Sequence, residues 1–118
     1  MFFSLIPGLR AARRIGAAER REKRGDLRGT LTACSEALEI LGRPGVDLEM
    51  GWCRAGVSVA LWGYARSAQE LGLQRELWEA LVRWRPVYLR WMESPVTPDE
   101  AKYLKWFEEI LEYFRKSS

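Results

Sequence analysis

Two cysteines, Cys34 and Cys53, are the side chains of this sequence best suited to nucleophilic attack or metal binding. They lie far apart along the chain, and neither belongs to a pair with the spacing of metal ligands. The sequence contains no histidine, which excludes Ser-His and Cys-His nucleophile activation and every His-based metal site. We therefore expect no catalytic residue, no metal site and no cofactor.

The remaining polar residues also lack the pattern of an active site. Residues 42–45 enclose Arg43 and Pro44 without the Gly-Lys-Ser/Thr ending of a phosphate-binding loop. Most acids lie three or four positions from a base, as in Glu79 and Arg83, which is typical of solvated helix surfaces. The sequence thus predicts a protein that is not an enzyme and has no small-molecule substrate.

Arginine is concentrated near the start of the chain. Residues 1–28 carry eight bases and three acids, whereas the rest of the chain has a small excess of acids. At about 100° per residue, six of these arginines gather within roughly a third of the circumference of one helix. This Arg face consists of Arg10, Arg13, Arg14, Arg20, Arg21 and Arg24.

Three kinds of multivalent anion suit an arginine face: nucleic-acid phosphates, anionic lipid headgroups and an acidic protein. Against nucleic acid, no aromatic residues interleave with the bases and no helix-turn-helix spacing stands out. The face is equally well explained as the solvated outer side of the helix. Nucleic-acid binding therefore stays an alternative to the main interpretation given below.

An apolar segment, residues 1–8, precedes the Arg face and favours a membrane alternative. Its side chains Phe2, Phe3, Leu5 and Ile6 could enter the interface of an anionic membrane beside the arginines. We favour docking of this segment onto the protein's own core. No apolar run approaches the roughly 20 residues that span a bilayer, and two cysteines are too few for a disulfide scaffold. A cytoplasmic location is the expectation.

Aromatic residues form the second candidate surface. Six Trp, four Tyr and four Phe in 118 residues are more than five short helices can enclose, so some rings should stay exposed and mark a protein contact, including one with a second copy. The candidates at helical spacing are Trp78, Trp84, Trp91, Trp106 and Tyr113. Most of this set should be core, and the predicted partner-binding residues are Trp106, Tyr113, Trp91 and Trp62.

The elements that must position these residues are all helical. Apolar periodicity and Gly or Pro breaks predict about five antiparallel helices stacked as helix hairpins in a single domain over residues 1–118. A first hairpin covers residues 9–41, a second residues 48–93, and a capping helix residues 97–116. The capping helix should begin at residues 97–100, which supply an N-cap, an N1 proline and a capping-box glutamate.

Glycine and proline set the expected boundaries. The Gly25-Asp26 pair should end the first helix and begin the second, and Gly72 should end the third, which we place at residues 48–71. Pro7 and Gly8 should delay the first helix until about residue 9. Pro86 should produce a kink or a short break in the fourth helix.

The first hairpin resembles the tetratricopeptide repeat family. The residues that carry the resemblance are Ala18 at the helix crossing, the Gly25-Asp26-Leu27 turn, Thr30, Cys34, Ala37, Leu38 and Ile40. A more divergent second copy runs through Leu61, Tyr64, Ala65 and Gly72. The resemblance implies a right-handed α-α superhelix or a small bundle, closed by the last helix as a cap. It also implies a groove that binds a peptide or helix of another protein.

Together these observations predict a non-catalytic adaptor that binds another protein, with self-association as one form of that binding. The aromatic residues would supply an apolar patch and the Arg face a charged one, without a cofactor. A nucleic-acid-associated subunit is the first alternative. A peripheral membrane protein held by its first residues is the second.

Overall fold

A computed structural model describes residues 2–49, 51–93 and 98–117, although not every side chain within these ranges. The helices are α1 (Phe2–Lys23), α2 (Leu27–Leu41), α3 (Gly51–Glu70), α4 (Gln74–Met92) and α5 (Pro98–Ser117). No strand occurs within the described ranges, and the prediction of an all-α chain built from five packed helices is confirmed. The chain divides into two compact units, residues 1–73 and residues 74–118.

In the first unit, α1 and α2 are antiparallel. Arg21 donates a hydrogen bond through Nη1 to the Gly29 carbonyl at 2.9 Å, close to the turn. Farther from the turn, Arg14 Nε lies 3.1 Å from Glu36 Oε2. Residue numbers thus decrease along α1 as those of the contacting residues increase along α2, which is the antiparallel arrangement of a helix hairpin.

Helix α3 packs antiparallel to α2. Gly56 on α3 lies against Leu41, and Gly63 lies against Cys34, so the numbers run in opposite directions. A Cβ built on Gly56 would be 3.2 Å from Leu41 Cδ1. Because Gly56 and Gly63 carry no side chain, α3 can approach α2 closely.

Helix α3 also touches α1, and these two helices run in the same direction. Arg66 Nη1 lies 3.0 Å from Glu22 Oε1. Earlier on both helices, a Cβ built on Gly56 would lie 3.7 Å from Ile15 Cδ1. Small residues from two of these helices, Ala18, Ala33 and Cys34, form a buried cluster, and Tyr64 of α3 packs against it. Small side chains at such a contact shorten the distance between helix axes.

The turn between α1 and α2 forms as predicted. Gly25 adopts a φ of 76°, a left-handed conformation that costs glycine nothing. Asp26 then caps α2, because its Oδ1 accepts a hydrogen bond from the Gly29 amide at 2.9 Å. Thr30 donates through Oγ1 to the Asp26 carbonyl at 2.8 Å. Gly72 ends α3 in the same conformation, with a φ of 74°.

In the second unit, α4 and α5 share an aromatic core. The rings of Tyr88 and Phe107 stack with their centroids 4.3 Å apart and their planes 5° apart. Trp91 tilts against Tyr88 at a centroid distance of 5.3 Å. The apolar face that α4 buries has helical spacing and comprises Leu77, Leu81, Trp84, Tyr88 and Trp91.

The delayed start of α1 at Pro7 and the short break at Pro86 do not occur, and the alternative expectation of a kink at Pro86 stays a prediction. Helix α1 begins at Phe2 rather than near residue 9, with Pro7 in its second turn. Helix α4 continues unbroken through Pro86. Each proline removes one hydrogen bond, and in α4 the freed carbonyl of Val82 lies on an exposed side of the helix, where water can bind it.

Two other boundaries differ from expectation or lie outside the described residues. Helix α3 begins at Gly51 rather than residue 48, because Asp47 Oδ1 accepts the Glu49 amide hydrogen bond at 3.0 Å and holds a turn there. Pro98 is the first residue of α5, as predicted. The proposed N-cap, Thr97, lies outside the described residues.

Candidate interaction surfaces

The Arg face divides into two groups in the structure. Arg14 and Arg21 turn toward α2, where one pairs with Glu36 and the other bonds to the Gly29 carbonyl. Arg14 still has 52% of its side-chain surface exposed, and the other four arginines, Arg10, Arg13, Arg20 and Arg24, are exposed as well. The predicted cluster is therefore partly structural and partly available to solvent.

A cleft of about 250 Å³ lies between α1 and α2 at the edge of the Arg face. Three arginines line it, and two glutamates from α2 stand among them. The two carboxylates offset part of the positive charge of the three arginines. The lining residues are Arg10, Arg14, Ser35, Glu36, Glu39, Ile40 and Arg43.

A second cleft, of about 380 Å³, lies between α1 and α3. Its walls are small and apolar, and among the described residues that line it Glu19 alone is ionisable. A lone carboxylate beside glycine and alanine offers no acid-base pair for catalysis. The other lining residues are Gly8, Ala12, Ile15, Gly16, Ala55, Gly56 and Val59.

The two thiols are buried and protonated at neutral pH. Burial raises the pKa of Cys34 from 9.0 to about 12, and the negative charges of Glu22 and Glu19 add to the shift. Burial also raises the pKa of Cys53, with a further contribution from Asp47. A thiol held in its neutral form is a poor nucleophile and a poor metal ligand.

The aromatic residues chosen from the sequence are only partly at the surface. Trp91 is 1% exposed, so its assignment to a partner-binding surface is wrong: it belongs to the core around Tyr88. Trp62 and Trp106 are partly buried. The side chain of Tyr113 lies outside the described part of the chain.

Helix α4 carries an exposed apolar surface that the partner-binding prediction missed. Trp78 is 40% exposed, Val82 46% and Leu89 41%. At 100° per residue these three side chains lie within about 40° of one another, so they form one line along the helix. We call this line the α4 stripe. Its centre lies about 120° around the helix from the centre of the buried face.

A second apolar periodicity on α4 could have indicated the stripe. Positions 78, 82 and 89 repeat at helical spacing one step out of phase with the core positions 77, 81 and 88. An apolar arc of this width exceeds what a single partner helix covers. The sequence offers no way to tell which half of the arc faces α5.

Within the described residues, no group of three or more Cys, Asp or Glu side chains is arranged to hold a metal ion. In the same part of the chain, the helices all fall short of the length and apolarity that a bilayer crossing requires.

Comparison with known proteins gives no relative for this chain. No protein-family model matches it, no curated protein is similar to it, and no solved structure matches it. The resemblance to tetratricopeptide repeats therefore stays a prediction.

Proposed function

We propose that this chain is a non-catalytic adaptor that binds another protein through the α4 stripe. The observation that carries the proposal is the alignment of three large exposed apolar side chains, Trp78, Val82 and Leu89, on one side of one helix. Isolated exposed apolar residues are common, whereas an aligned group is typical of a contact surface. A helix or an extended peptide with apolar anchors would fit this surface.

The chemistry of the remaining side chains supports a role without catalysis. The sequence has no histidine, and burial keeps both thiols in their neutral form. Neither described cleft brings together an acid and a base with a nucleophile. Cys34 and Cys53 are buried and form no disulfide, which supports the proposal of a cytoplasmic location, where thiols stay reduced.

A photocrosslinking experiment in cells tests the proposal. The photoreactive amino acid p-benzoylphenylalanine replaces Val82 in the stripe or, as a control, Lys105, which is exposed on α5. We expect covalent adducts from position 82 that disappear when Leu89→Glu is added, because a buried unpaired charge opposes docking. Equal labelling from positions 82 and 105 would contradict an interaction at the stripe.

We propose nucleic-acid binding through the exposed arginines as the second candidate function. Arg10, Arg13 and Arg20 lie exposed on α1 and Arg24 lies exposed in the turn that follows it, which favours contact with a phosphate backbone. Binding of duplex DNA through n phosphates should weaken with salt at a log-log slope of about −0.9n. An affinity that is insensitive to salt would contradict this candidate.

The membrane alternative rests on Phe2, Phe3, Leu5 and Ile6, whose side chains lie outside the described part of the chain. Sedimentation with phosphatidylserine vesicles tests it. Binding that is lost on deletion of residues 1–8 would support a membrane role, and the absence of any sedimentation would exclude it.

A further inference from the structure

The charges beside the α4 stripe change sign along the helix. One flank, about 80 to 100° from the centre of the stripe, carries Glu79 in the first half of α4 and Arg90 in the second half. Both side chains are exposed, and Glu79 Oε1 also lies 3.1 Å from Nε of Arg75, one turn earlier on the helix. A flank with an acid and a base at nearly equal distances from its midpoint is complementary to itself after a half-turn.

Antiparallel pairing of two copies of α4 brings these features into register. Trp78 and Leu89 are equally distant from the midpoint of the stripe, so each would lie opposite the other in the second copy. A twofold axis across the pair keeps the same flank on the same side, which places Glu79 of each copy near Arg90 of the other. Two ion pairs thus flank the apolar contact.

A parallel pair of the same helices forms neither ion pair. Its twofold axis runs along the helices and places the charged flank of one copy on the opposite side of the contact from that of the other, so Glu79 and Arg90 of one copy lie near neither charge of the second. The charge order therefore selects the antiparallel arrangement, as flanking charges do in coiled coils.

Two further arginines lie close to the twofold axis. Arg85 lies beside the stripe, between Val82 and Leu89 along the helix, where its aliphatic stem can cover Val82 of the second copy while its guanidinium stays in water. The guanidinium carbon of Arg83 lies 5.8 Å from the ring centroid of Trp84, and Trp84 is on the core side of the helix. Arg83 is thereby drawn away from the stripe.

We propose that the partner of the α4 stripe is a second copy of this chain, docked antiparallel, α4 against α4. This inference rests on the proposed function, because it names the occupant of the same surface. A contact between two helices of this length falls below the roughly 1,200 Å² of a stable interface, so the dimer should be weak and in exchange with monomer.

Sedimentation equilibrium of the full chain over roughly 5 to 500 µM tests the proposal. The unmodified protein should show a monomer-dimer equilibrium within this range. Glu79→Arg and Arg90→Glu should each raise the dissociation constant about tenfold or more, since each replaces two attractive contacts by two repulsive ones. An equimolar mixture of these two variants should recover the original association, because the mixed pair has complementary charges at both contacts.

Matched controls and the crosslinking experiment separate the possible failures. Lys105→Glu and Glu109→Arg make the same charge changes at exposed positions of α5 and should leave the association unchanged, and circular dichroism should show the same helix content in all variants. A protein that stays monomeric at every concentration, or a mixture that fails to recover association, overturns the antiparallel dimer. In that case, adducts from position 82 with the mass of a different protein would still uphold the proposed adaptor function, and loss of all adducts would end both proposals.

Discussion

Gly63 lies directly against Cys34 at the crossing of α3 and α2. A Cβ built on Gly63 would come within 2.8 Å of the Cys34 sulfur, closer than two such atoms normally approach. The glycine thus allows the two helices to pack with a buried thiol between them. Glycine in a helix interior costs about 1 kcal/mol relative to alanine, and the close crossing offsets that cost.

Replacing Gly63 with alanine should therefore lower the free energy of unfolding by about 1 to 3 kcal/mol, as overpacking does. In a Cys34→Ala background the sulfur is gone, and the same replacement should stabilise the protein by about 0.5 to 1 kcal/mol. Urea denaturation of the four proteins in this cycle measures the reversal.

Gly16 supplies the control for this cycle. The nearest atom to a Cβ built there is Arg20 Nη1, at an ordinary 3.5 Å. Gly16→Ala should stabilise α1 by up to about 1 kcal/mol in either background. If Gly63→Ala behaves like Gly16→Ala, the contact with Cys34 does not constrain the helix crossing.

The raised pKa of Cys34 predicts a loss of stability in alkaline solution. In the unfolded chain this thiol ionises near its ordinary pKa of 9.0, and in the folded protein near 12. Between these pH values the folded state holds more protons, so the free energy of unfolding should fall as pH rises, by at most about 1.4 kcal/mol per pH unit. Below pH 9 the stability that comes from the raised pKa of Cys34 is fully present.

Cys34→Ala should flatten this pH dependence, whatever its effect on stability at neutral pH. Urea midpoints of the unmodified protein and the variant at pH 8, 9 and 10 provide the comparison, since other alkaline groups titrate equally in both. Parallel pH profiles would show that the thiol ionises alike in the folded and unfolded chain.

The division of the Arg face predicts different effects for two pairs of substitutions. Arg13→Gln with Arg20→Gln should leave the melting temperature nearly unchanged, because both side chains are exposed. Arg14→Gln with Arg21→Gln should cost about 1 to 2 kcal/mol, most of it from the hydrogen bond to the Gly29 carbonyl. The exposed pair with Glu36 contributes less.

Thermal unfolding followed by circular dichroism measures this difference between the two double variants, which have the same net charge. The same two proteins also test the second candidate function. If nucleic acid binds the exposed arginines, the Arg13 and Arg20 variant should lose affinity while keeping its stability. Equal losses of stability in both variants would contradict the structural role of Arg14 and Arg21.

Local rules made much of the fold predictable. The left-handed Gly25, the Asp26 cap and the end of α3 at Gly72 follow from backbone preferences of single residues, and apolar spacing located all five helices. The proline breaks were wrongly predicted because the loss of one hydrogen bond at each proline is small compared with the packing that stabilises a helix along its whole length.

The candidate surface was harder to predict because periodicity does not say which apolar positions a neighbouring helix covers. On α4 the sequence shows two overlapping apolar lines, and only the structure assigns Trp91 to the core and Trp78 to the surface. Composition correctly indicates that some aromatic rings stay exposed. Their identity depends on the packing of α5, which is a tertiary property.

Substituting these two tryptophans separates the core from the stripe. Trp91→Ala should lower the free energy of unfolding by about 3 to 5 kcal/mol, because it empties a buried space beside Tyr88. Trp78→Ala should cost far less, since 40% of its surface is already in water, yet it should abolish adducts from position 82 and weaken self-association. Chemical denaturation gives the first comparison and sedimentation the second. A Trp78 variant as unstable as the Trp91 variant would place Trp78 in the core and remove the stripe as a binding surface.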